Sequence, residues 1–203
     1  MTRRRLILAG ALLALASSAC GDGVGVPQPI PIPHHLRAMS APPDTLKTID
    51  VVGLPGAVAG AGRVFVTSAS GAVTEARSAA SGSFTLSLQA RGGDALQVRY
   101  EDSEAAALLV PKAGIMTPLP PGPISGVSPV TPTSGGKVQV RGLSNGTGTS
   151  VVVVNVTSGD AGQTTSAGDQ RFSIELVGAP GDALRVYEVI GGALGPAWAL
   201  SVP

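Results

Sequence analysis

The chain has 203 residues, enough for one large domain or two small ones, and with 43% apolar and 13% charged residues it is too apolar and too weakly charged for a disordered protein. The sequence has 14 basic and 13 acidic residues; once Arg3, Arg4 and Arg5 leave with the N-terminal segment, 11 basic residues remain against 13 acidic ones, so the mature chain is slightly acidic. The sequence has no basic patch with interleaved aromatic residues, so nucleic acid is not an expected partner.

Residues 1–19 have the three parts of an export signal. Arg3–Arg5 form a basic region, Leu6–Ala16 form an apolar run, and the small residues Ser17–Ala19 suit a cleavage site. The apolar run is shorter than the ~20 residues that cross a bilayer, so a permanent membrane-spanning helix is not expected.

Cys20 is the only cysteine and directly follows this segment, so it cannot form an internal disulfide. Its position resembles the lipobox of bacterial lipoproteins, although Ser17 stands where that family usually has Leu. The resemblance implies that the Cys20 sulfur receives diacylglycerol and that Cys20 becomes the N-terminus of a protein anchored to the cell envelope. Gly21 rather than Asp follows the cysteine, which favours the outer membrane. The alternative is a soluble exported protein with a free Cys20.

Two Pro-rich segments divide the rest of the chain. Residues 20–33 begin with alternating Gly and end with Pro27, Pro29, Pro31 and Pro33, which predicts a tether that becomes extended and stiff. A similar segment at 112–123 predicts a semi-rigid spacer.

A repeat fills the segments 34–111 and 124–203. Gly93-Asp94-Ala95-Leu96 matches Gly181-Asp182-Ala183-Leu184 letter for letter, and each copy ends in Val-Pro. Corresponding positions such as Phe84 and Phe172 keep a nearly constant spacing. The repeat predicts two homologous domains of about 80 residues, with the two Phe side chains as their main aromatic core residues.

Each copy predicts about seven short antiparallel strands, because apolar and polar residues alternate in short runs bounded by turn residues. Turn residues at 90–94 and 178–182 predict that the strands on either side of them form hairpins. The predicted strands are 36–39, 48–52, 63–67, 73–77, 84–88 and 96–100, and then 124–127, 137–141, 150–156, 163–166, 172–176 and 184–188, with a last strand before each Val-Pro.

The recurring layout GL-x-G, V-x-V, F-x-L-x-L and GD-x-L-x-V resembles bacterial Ig-like domains, and also the transthyretin-like domains of carboxypeptidase-regulatory type. The resemblance implies an all-β fold of two tandem immunoglobulin-like β-sandwich domains after the signal segment and tether. It implies a structural or binding role and carries no catalytic residues.

Two sequence matches to catalytic motifs have simpler explanations. The stretch from Gly142 to Gly146 fits G-x-S-x-G, but a strand follows it where the nucleophile elbow needs a helix. Ser134-Gly135-Gly136-Lys137 fits S-x-x-K, but its glycines disfavour the required helix. Both stretches are expected to be turns.

Metal-binding and modification sites are equally weak in the sequence. His34-His35 lacks the spacing of a metal site, and the acidic stretch at 101–104 lacks the pattern of a calcium loop. An exposed pair and a solvated loop are expected. Asn145 and Asn155 begin glycosylation triplets that matter only in a eukaryotic secretory context. Asp94 and Asp182 are expected to accept hydrogen bonds within their turns.

These features predict a non-enzymatic, lipid-anchored envelope protein without cofactor, metal or catalytic residues. It would act as a spacer or adaptor, touching the membrane through its lipid and binding another envelope protein or a surface polysaccharide. The alternative is a cell-surface adhesin or glycan-binding module, for which Tyr187 and Trp198 are the plausible exposed aromatic pair; because Trp198 lies in a terminal strand, its packing in the core is an equal expectation. An enzyme would need polar groups converging in a pocket.

Overall fold

The computed structural model describes residues 29–113, 119–126 and 128–203, so the signal segment, Cys20 and most of the N-terminal tether lie outside the described residues. A 3-10 turn at Pro33–His35 precedes the strands. The first sandwich contains β1 (Leu36–Ala38), β2 (Lys47–Gly53), β3 (Arg63–Thr67), β4 (Val73–Arg77), β5 (Phe84–Ala90), β6 (Ala95–Tyr100) and β7 (Ala106–Leu109). The second contains β8 (Val130–Pro132), β9 (Lys137–Leu143), β10 (Ser150–Asn155), β11 (Ala161–Thr165), β12 (Arg171–Val177), β13 (Ala183–Ile190), β14 (Ala193–Leu194) and β15 (Trp198–Ser201).

These strands form antiparallel sheets, numbered here by their place in the molecule. Sheet 1 has the order β4-β3-β6-β7 and sheet 2 the order β1-β2-β5. Sheet 3 has the order β11-β10-β13-β14, with β15 also paired to β13, and sheet 4 the order β12-β9-β8. Sheets 1 and 2 form the first sandwich and sheets 3 and 4 the second, which confirms the predicted fold class of two tandem immunoglobulin-like β-sandwiches.

Corresponding residues pack in the same way in the cores of the two sandwiches. Phe84 and Phe172 are buried in their cores, as predicted. Each ring lies against a glycine on the neighbouring strand: a Cβ added to Gly53 would lie 2.2 Å from Phe84, and one added to Gly142 would lie 2.4 Å from Phe172. The glycines are therefore required by close packing, and the sequence match between the copies reflects a shared core.

The four sheets stack face to face in numerical order. Sheets 1 and 2 enclose the first core, sheets 3 and 4 enclose the second, and sheet 2 also packs against sheet 3. Two central strands are consequently buried on both faces, over residues 49–53 in β2 and 151–155 in β10. Because packed sheets lie about 10 Å apart, the two outermost sheets are roughly 30 Å apart.

The predicted hairpins at residues 90–94 and 178–182 are wrong. Strand β5 pairs with β2 and β6 pairs with β3, so the intervening turn carries the chain from sheet 2 to sheet 1. The turn is built against a neighbouring loop, because a Cβ added to Gly92 would lie 2.1 Å from the carbonyl oxygen of Ala41. The corresponding turn in the second copy likewise joins β12 in sheet 4 to β13 in sheet 3.

The expected first strand of the second copy, at 124–127, is also misplaced. Ser125 and Gly126 form a turn in which Gly126 has a φ of 75°, and the first strand of this sandwich is β8 at Val130–Pro132. The left-handed glycine redirects the chain, so extended backbone begins only after the turn.

The ends of both Pro-rich segments are bound to the sandwiches. Pro31 is buried, and the Ile32 N–H donates to the Ala57 carbonyl at 2.9 Å. The Ala113 N–H donates to Ala41 at 2.8 Å, while Gly122 pairs with Leu143. The sequence predicts a semi-rigid spacer at 112–123, yet the two sandwiches lie in contact. The domain limits 34–111 and 124–203 stay predictions.

Candidate functional site

The most distinctive site in the described structure is the interface between sheets 2 and 3. Its centre is apolar: Val52 and Leu54 from the first sandwich pack in one buried cluster with Val152, Val154, Ala161, Tyr187 and Leu194 from the second. Met39 extends the cluster and forms a backbone bridge to Leu194. Burial of apolar side chains on both partners gives a stabilising contact rather than an incidental one.

Asp50 provides the polar part of the interface. It lies on β2 with 6% of its surface exposed, and its carboxylate accepts three hydrogen bonds. Arg185 Nη1 donates to Oδ1 at 2.7 Å, the Tyr187 hydroxyl donates to Oδ2 at 2.7 Å, and the Ser87 hydroxyl donates to Oδ1 at 2.5 Å. A buried carboxylate needs such partners to offset its loss of hydration, and two of the three come from the other sandwich.

Tyr187 is suited to its place in this contact. Burial raises the pKa of its hydroxyl above the ordinary value, and the negative charge of Asp50 raises the pKa further. The hydroxyl therefore remains protonated at neutral and moderately alkaline pH, so it can keep donating to Asp50.

A second set of polar contacts lies at the edge of the interface. The Ser83 hydroxyl donates to the Gly159 carbonyl at 2.9 Å and accepts from the Ala161 N–H at 3.1 Å. The Ser81 hydroxyl donates to Asp160 Oδ1 at 3.0 Å. These bonds join the turn before β5 to the loop 156–160 of the second sandwich.

Asn155 holds that loop in place. Its side chain is completely buried, and Nδ2 donates to the Val177 carbonyl at 3.0 Å and to Asp182 Oδ2 at 2.7 Å. Its Oδ1 accepts from the backbone N–H groups of Thr157 at 3.0 Å and Ser158 at 3.2 Å. All four hydrogen-bonding positions of the amide are used, so the glycosylation triplet that begins at Asn155 is not accessible in the folded chain.

The turn residues behave as the sequence predicts. Asp94 Oδ2 accepts from the Arg91 N–H at 2.8 Å, and Asp182 Oδ2 accepts from the Ala179 N–H at 2.9 Å. The hydrogen bond from Asn155, together with that from Ala179, lowers the pKa of Asp182 below its ordinary value. Both aspartates are therefore structural acceptors.

Neither catalytic motif match has an active geometry. The Ser144 hydroxyl donates to the Gly146 carbonyl at 2.5 Å and has the Gln170 carbonyl as a second possible acceptor at 3.1 Å, and the chain continues into strand β10. Ser134–Gly136 form a turn before β9, with φ of 77° at Gly135 and 71° at Gly136. Both stretches are turns, as expected.

The remaining sequence candidates are dispersed. His34 is exposed as expected, whereas His35 is partly buried. Glu101 accepts from the Arg63 N–H at 2.5 Å, and this bond lowers the pKa of its carboxyl. In residues 29–113, 119–126 and 128–203, no three His, Cys, Asp or Glu side chains are grouped as a metal site would require. The described chain also has no helix long and apolar enough to span a membrane.

The exposed aromatic pair expected for a glycan-binding module is not present. Tyr187 is completely buried between the sandwiches, and Trp198 packs partly buried against the second core. Sheet 2 covers the side of β13 on which Tyr187 lies.

The interface was not predicted from the sequence, although one signal points to it. Val151–Val154 are four consecutive apolar residues, and such a run indicates a strand buried on both faces rather than the half-buried strand of an isolated sandwich. Nothing in the sequence pairs Asp50 with Arg185 and Tyr187, because these residues are far apart in the chain and alternate normally within their strands.

Comparison with known proteins gives weak similarity to solved structures. No protein-family model matches the chain, and no curated protein matches it either. Among solved structures, the chain is similar to a biofilm-associated protein BSP domain (16% identity, TM-score 0.29, 82% of this chain and 29% of that one). It is also similar to the human OSCAR ligand-binding domain (13% identity, TM-score 0.30, 87% of this chain and 100% of that one). A two-domain fibronectin type III segment of chicken tenascin is similar as well (17% identity, TM-score 0.27, 82% of this chain and 97% of that one). Similarity at these TM-scores supports no functional argument.

Proposed function

We propose that this chain is a non-enzymatic envelope protein that is anchored by a lipid on Cys20 and acts as an adaptor. In this proposal the two sandwiches form one unit, and the unit presents an outer sheet face to another envelope component. The anchor rests on the sequence of residues 1–20. The binding role rests on the absence of any converging catalytic groups among the described residues and on the fixed pairing of the domains.

The interface between sheets 2 and 3 is the observation that carries the adaptor proposal. A flexible spacer needs no buried contact between its domains, whereas this chain buries a carboxylate, a tyrosine and a valine cluster there. Such a contact restricts the orientation of one sandwich relative to the other. A fixed orientation is useful to a protein that holds a partner at a defined distance from the membrane.

Crosslinking in intact cells of the native host tests the proposal. The full chain would be captured after crosslinking and its adducts identified by mass spectrometry, with a Cys20→Ser chain as the unanchored control. We expect one envelope protein to be captured reproducibly with the anchored chain. Capture of surface polysaccharide alone would support the adhesin instead, and failure to capture any component would contradict an adaptor role.

A further inference from the structure

The solvent-facing side of sheet 1 is a well-defined surface on the first sandwich, called here the sheet 1 face. It is the outward side of strands β3, β4, β6 and β7. Its residues that matter for binding are Arg63, Phe65, Val73, Arg77, Arg99 and Leu109. Val73 is 61% exposed and Leu109 is 64% exposed, so the face offers apolar as well as charged side chains.

The repeat relates this face to the interface already described. Strand β6 corresponds to β13 through their shared Gly-Asp-Ala-Leu turns, and β3 corresponds to β10 because each pairs with that strand. In this alignment Phe65 takes the place of Val152, and Arg99 takes the place of Tyr187. The sheet 1 face is therefore the counterpart, in the first sandwich, of the surface that the second sandwich uses to bind sheet 2.

The chemistry of the sheet 1 face is cationic around one aromatic ring. The guanidinium carbon of Arg99 lies 5.0 Å from the centre of the Phe65 ring, and that of Arg63 lies 5.4 Å from it. Arg63 is already paired with Glu101. Arg99 and Arg77 have no carboxylate within 4.0 Å among the described residues, so both charges remain available to an incoming acid.

Glu75 is the acidic residue on the same face, opposite Phe65 in the register of β3 and β4. Arg77 follows two residues later on β4, and Phe65 separates Glu75 from Arg99 on β6; Glu75 forms no ion pair with either arginine. The face thus carries both signs of charge. A partner with carboxylates opposite Arg77 and Arg99, and none opposite Glu75, fits it better than a uniformly acidic surface does.

A second copy of this chain does not fit the sheet 1 face. In the observed interface, the binding surface of sheet 2 presents Asp50 and Val52. The corresponding positions on sheet 4, which is the other outermost sheet, are Gln139 and Arg141. In head-to-tail stacking Gln139 would stand where Asp50 stands, opposite Arg99, and Arg141 would stand in the place of Val52. Glu175, which lies opposite Gln139 on the same face, is already paired with Lys137 at 3.5 Å, and Arg141 adds a like charge, so this pairing is unfavourable.

We propose that the sheet 1 face binds a β-sheet surface of a partner protein that carries carboxylates beside an apolar centre, in the way that sheet 2 binds sheet 3. This inference deepens the proposed adaptor function and rests on it, since it names the surface through which the adaptor binds. Arg99 and Arg77 pair with acidic groups of the partner, and Phe65, Val73 and Leu109 supply the apolar contact.

A site-specific photocrosslinker tests the assignment. The full chain is expressed in its native host with the photocrosslinker in place of Gln97, which is exposed on the sheet 1 face. A matched control carries the photocrosslinker in place of Ser173, which is exposed on the outer face of sheet 4. We expect the first probe alone to give a protein adduct, and the crosslinked peptide to come from a carboxylate-bearing strand. The double variant Arg77→Glu/Arg99→Glu should lower the yield of this adduct by about tenfold or more, because it opposes like charges.

The controls separate loss of binding from loss of folding. Arg99→Gln keeps the length of the side chain without its charge and should lower the yield less, while Arg171→Glu on sheet 4 should not change it. Replacing the mapped carboxylate of the partner by Arg should restore the adduct with the double variant. An adduct that the double variant does not weaken, or one formed with lipid or polysaccharide, would overturn the assignment.

The outcomes also distinguish this inference from the adaptor function. A protein adduct from Ser173 and none from Gln97 would leave the chain an adaptor that binds through another face. The absence of protein adducts from both probes, together with no capture by general crosslinking, would overturn the adaptor function and the assignment with it.

Discussion

Replacement of Asp50 by Ala is the sharpest test of the interface. The change removes the acceptor of the hydrogen bonds from Arg185, Tyr187 and Ser87. The Tyr187 hydroxyl is completely buried, and a buried donor without a partner costs about 1–3 kcal/mol. The Arg185 side chain is 36% exposed and can turn to water, so its contribution falls well below the ~3–5 kcal/mol of a fully buried broken pair. We expect Asp50→Ala to lower the free energy of unfolding by about 2–4 kcal/mol.

Urea unfolding of the full chain measures this loss. Tyr187→Phe keeps the ring and removes the hydroxyl, so it should cost about 1 kcal/mol, and the double variant should lose less than the sum of the single ones. Gln139→Ala is the matched control, because Gln139 holds the position of Asp50 on the outer face of sheet 4. The reasoning would be refuted if Asp50→Ala were no more destabilising than Gln139→Ala, for which we expect a change within about 0.5 kcal/mol.

Further predictions follow from the packing, the loop and the anchor. Gly53→Ala places a Cβ 2.2 Å from a buried aromatic ring and should cost about 1–3 kcal/mol in urea unfolding, whereas Gly168→Ala, with nothing within 4 Å of the added Cβ, should cost little. Asn155→Ala removes a completely buried amide and should cost about 2–4 kcal/mol, together with faster proteolysis of the loop that follows it; unchanged proteolysis would contradict its role. Folding lowers the pKa of Asp182, so its contribution to stability is present above about pH 4 and is lost as the pH falls through the lowered pKa. Asp182→Asn should therefore weaken the fall in the free energy of unfolding at acid pH. Identical pH dependence in the two proteins would disprove this. Cys20→Ser should move the chain from the membrane fraction to the soluble fraction, and retention in the membrane would contradict the lipid anchor.

The positions of the strands could be predicted from the sequence because each strand carries its own pattern. Residues 63–67 and 73–77 match β3 and β4 in full, since apolar residues alternate with polar ones and turn residues mark the ends. The repeat allowed the strand positions of the second copy to be predicted by comparison with the first. Where the local pattern was weak, as at 124–127, a left-handed glycine moved the strand.

The pairing of strands could not be predicted in the same way. A turn of four residues between two amphipathic strands is compatible with a hairpin and with a crossing between sheets, and the strand pattern is identical in both. The close approach of Gly92 to the Ala41 backbone decides between them, and this approach depends on a loop some 50 residues earlier in the chain.

The interface between the sandwiches could not be predicted from local sequence patterns either. The side chain of Asp50 has the alternation expected of a solvent-facing strand residue, and only its tertiary neighbours show that it is buried. The apolar run in β10 was the one local sign that a second surface covers that strand.

The short connection between the sandwiches has a consequence for how strong their interface must be. Lys112 is bridged to the first sandwich and Gly122 to the second, so a short segment ties the two surfaces together. Tethering of this kind gives an effective concentration in the millimolar range. An interface with an intrinsic dissociation constant near 10 μM would then be closed in about 99% of molecules. The same two surfaces on separate chains would dissociate on dilution, and cleavage of the linker should therefore release the two halves from one another.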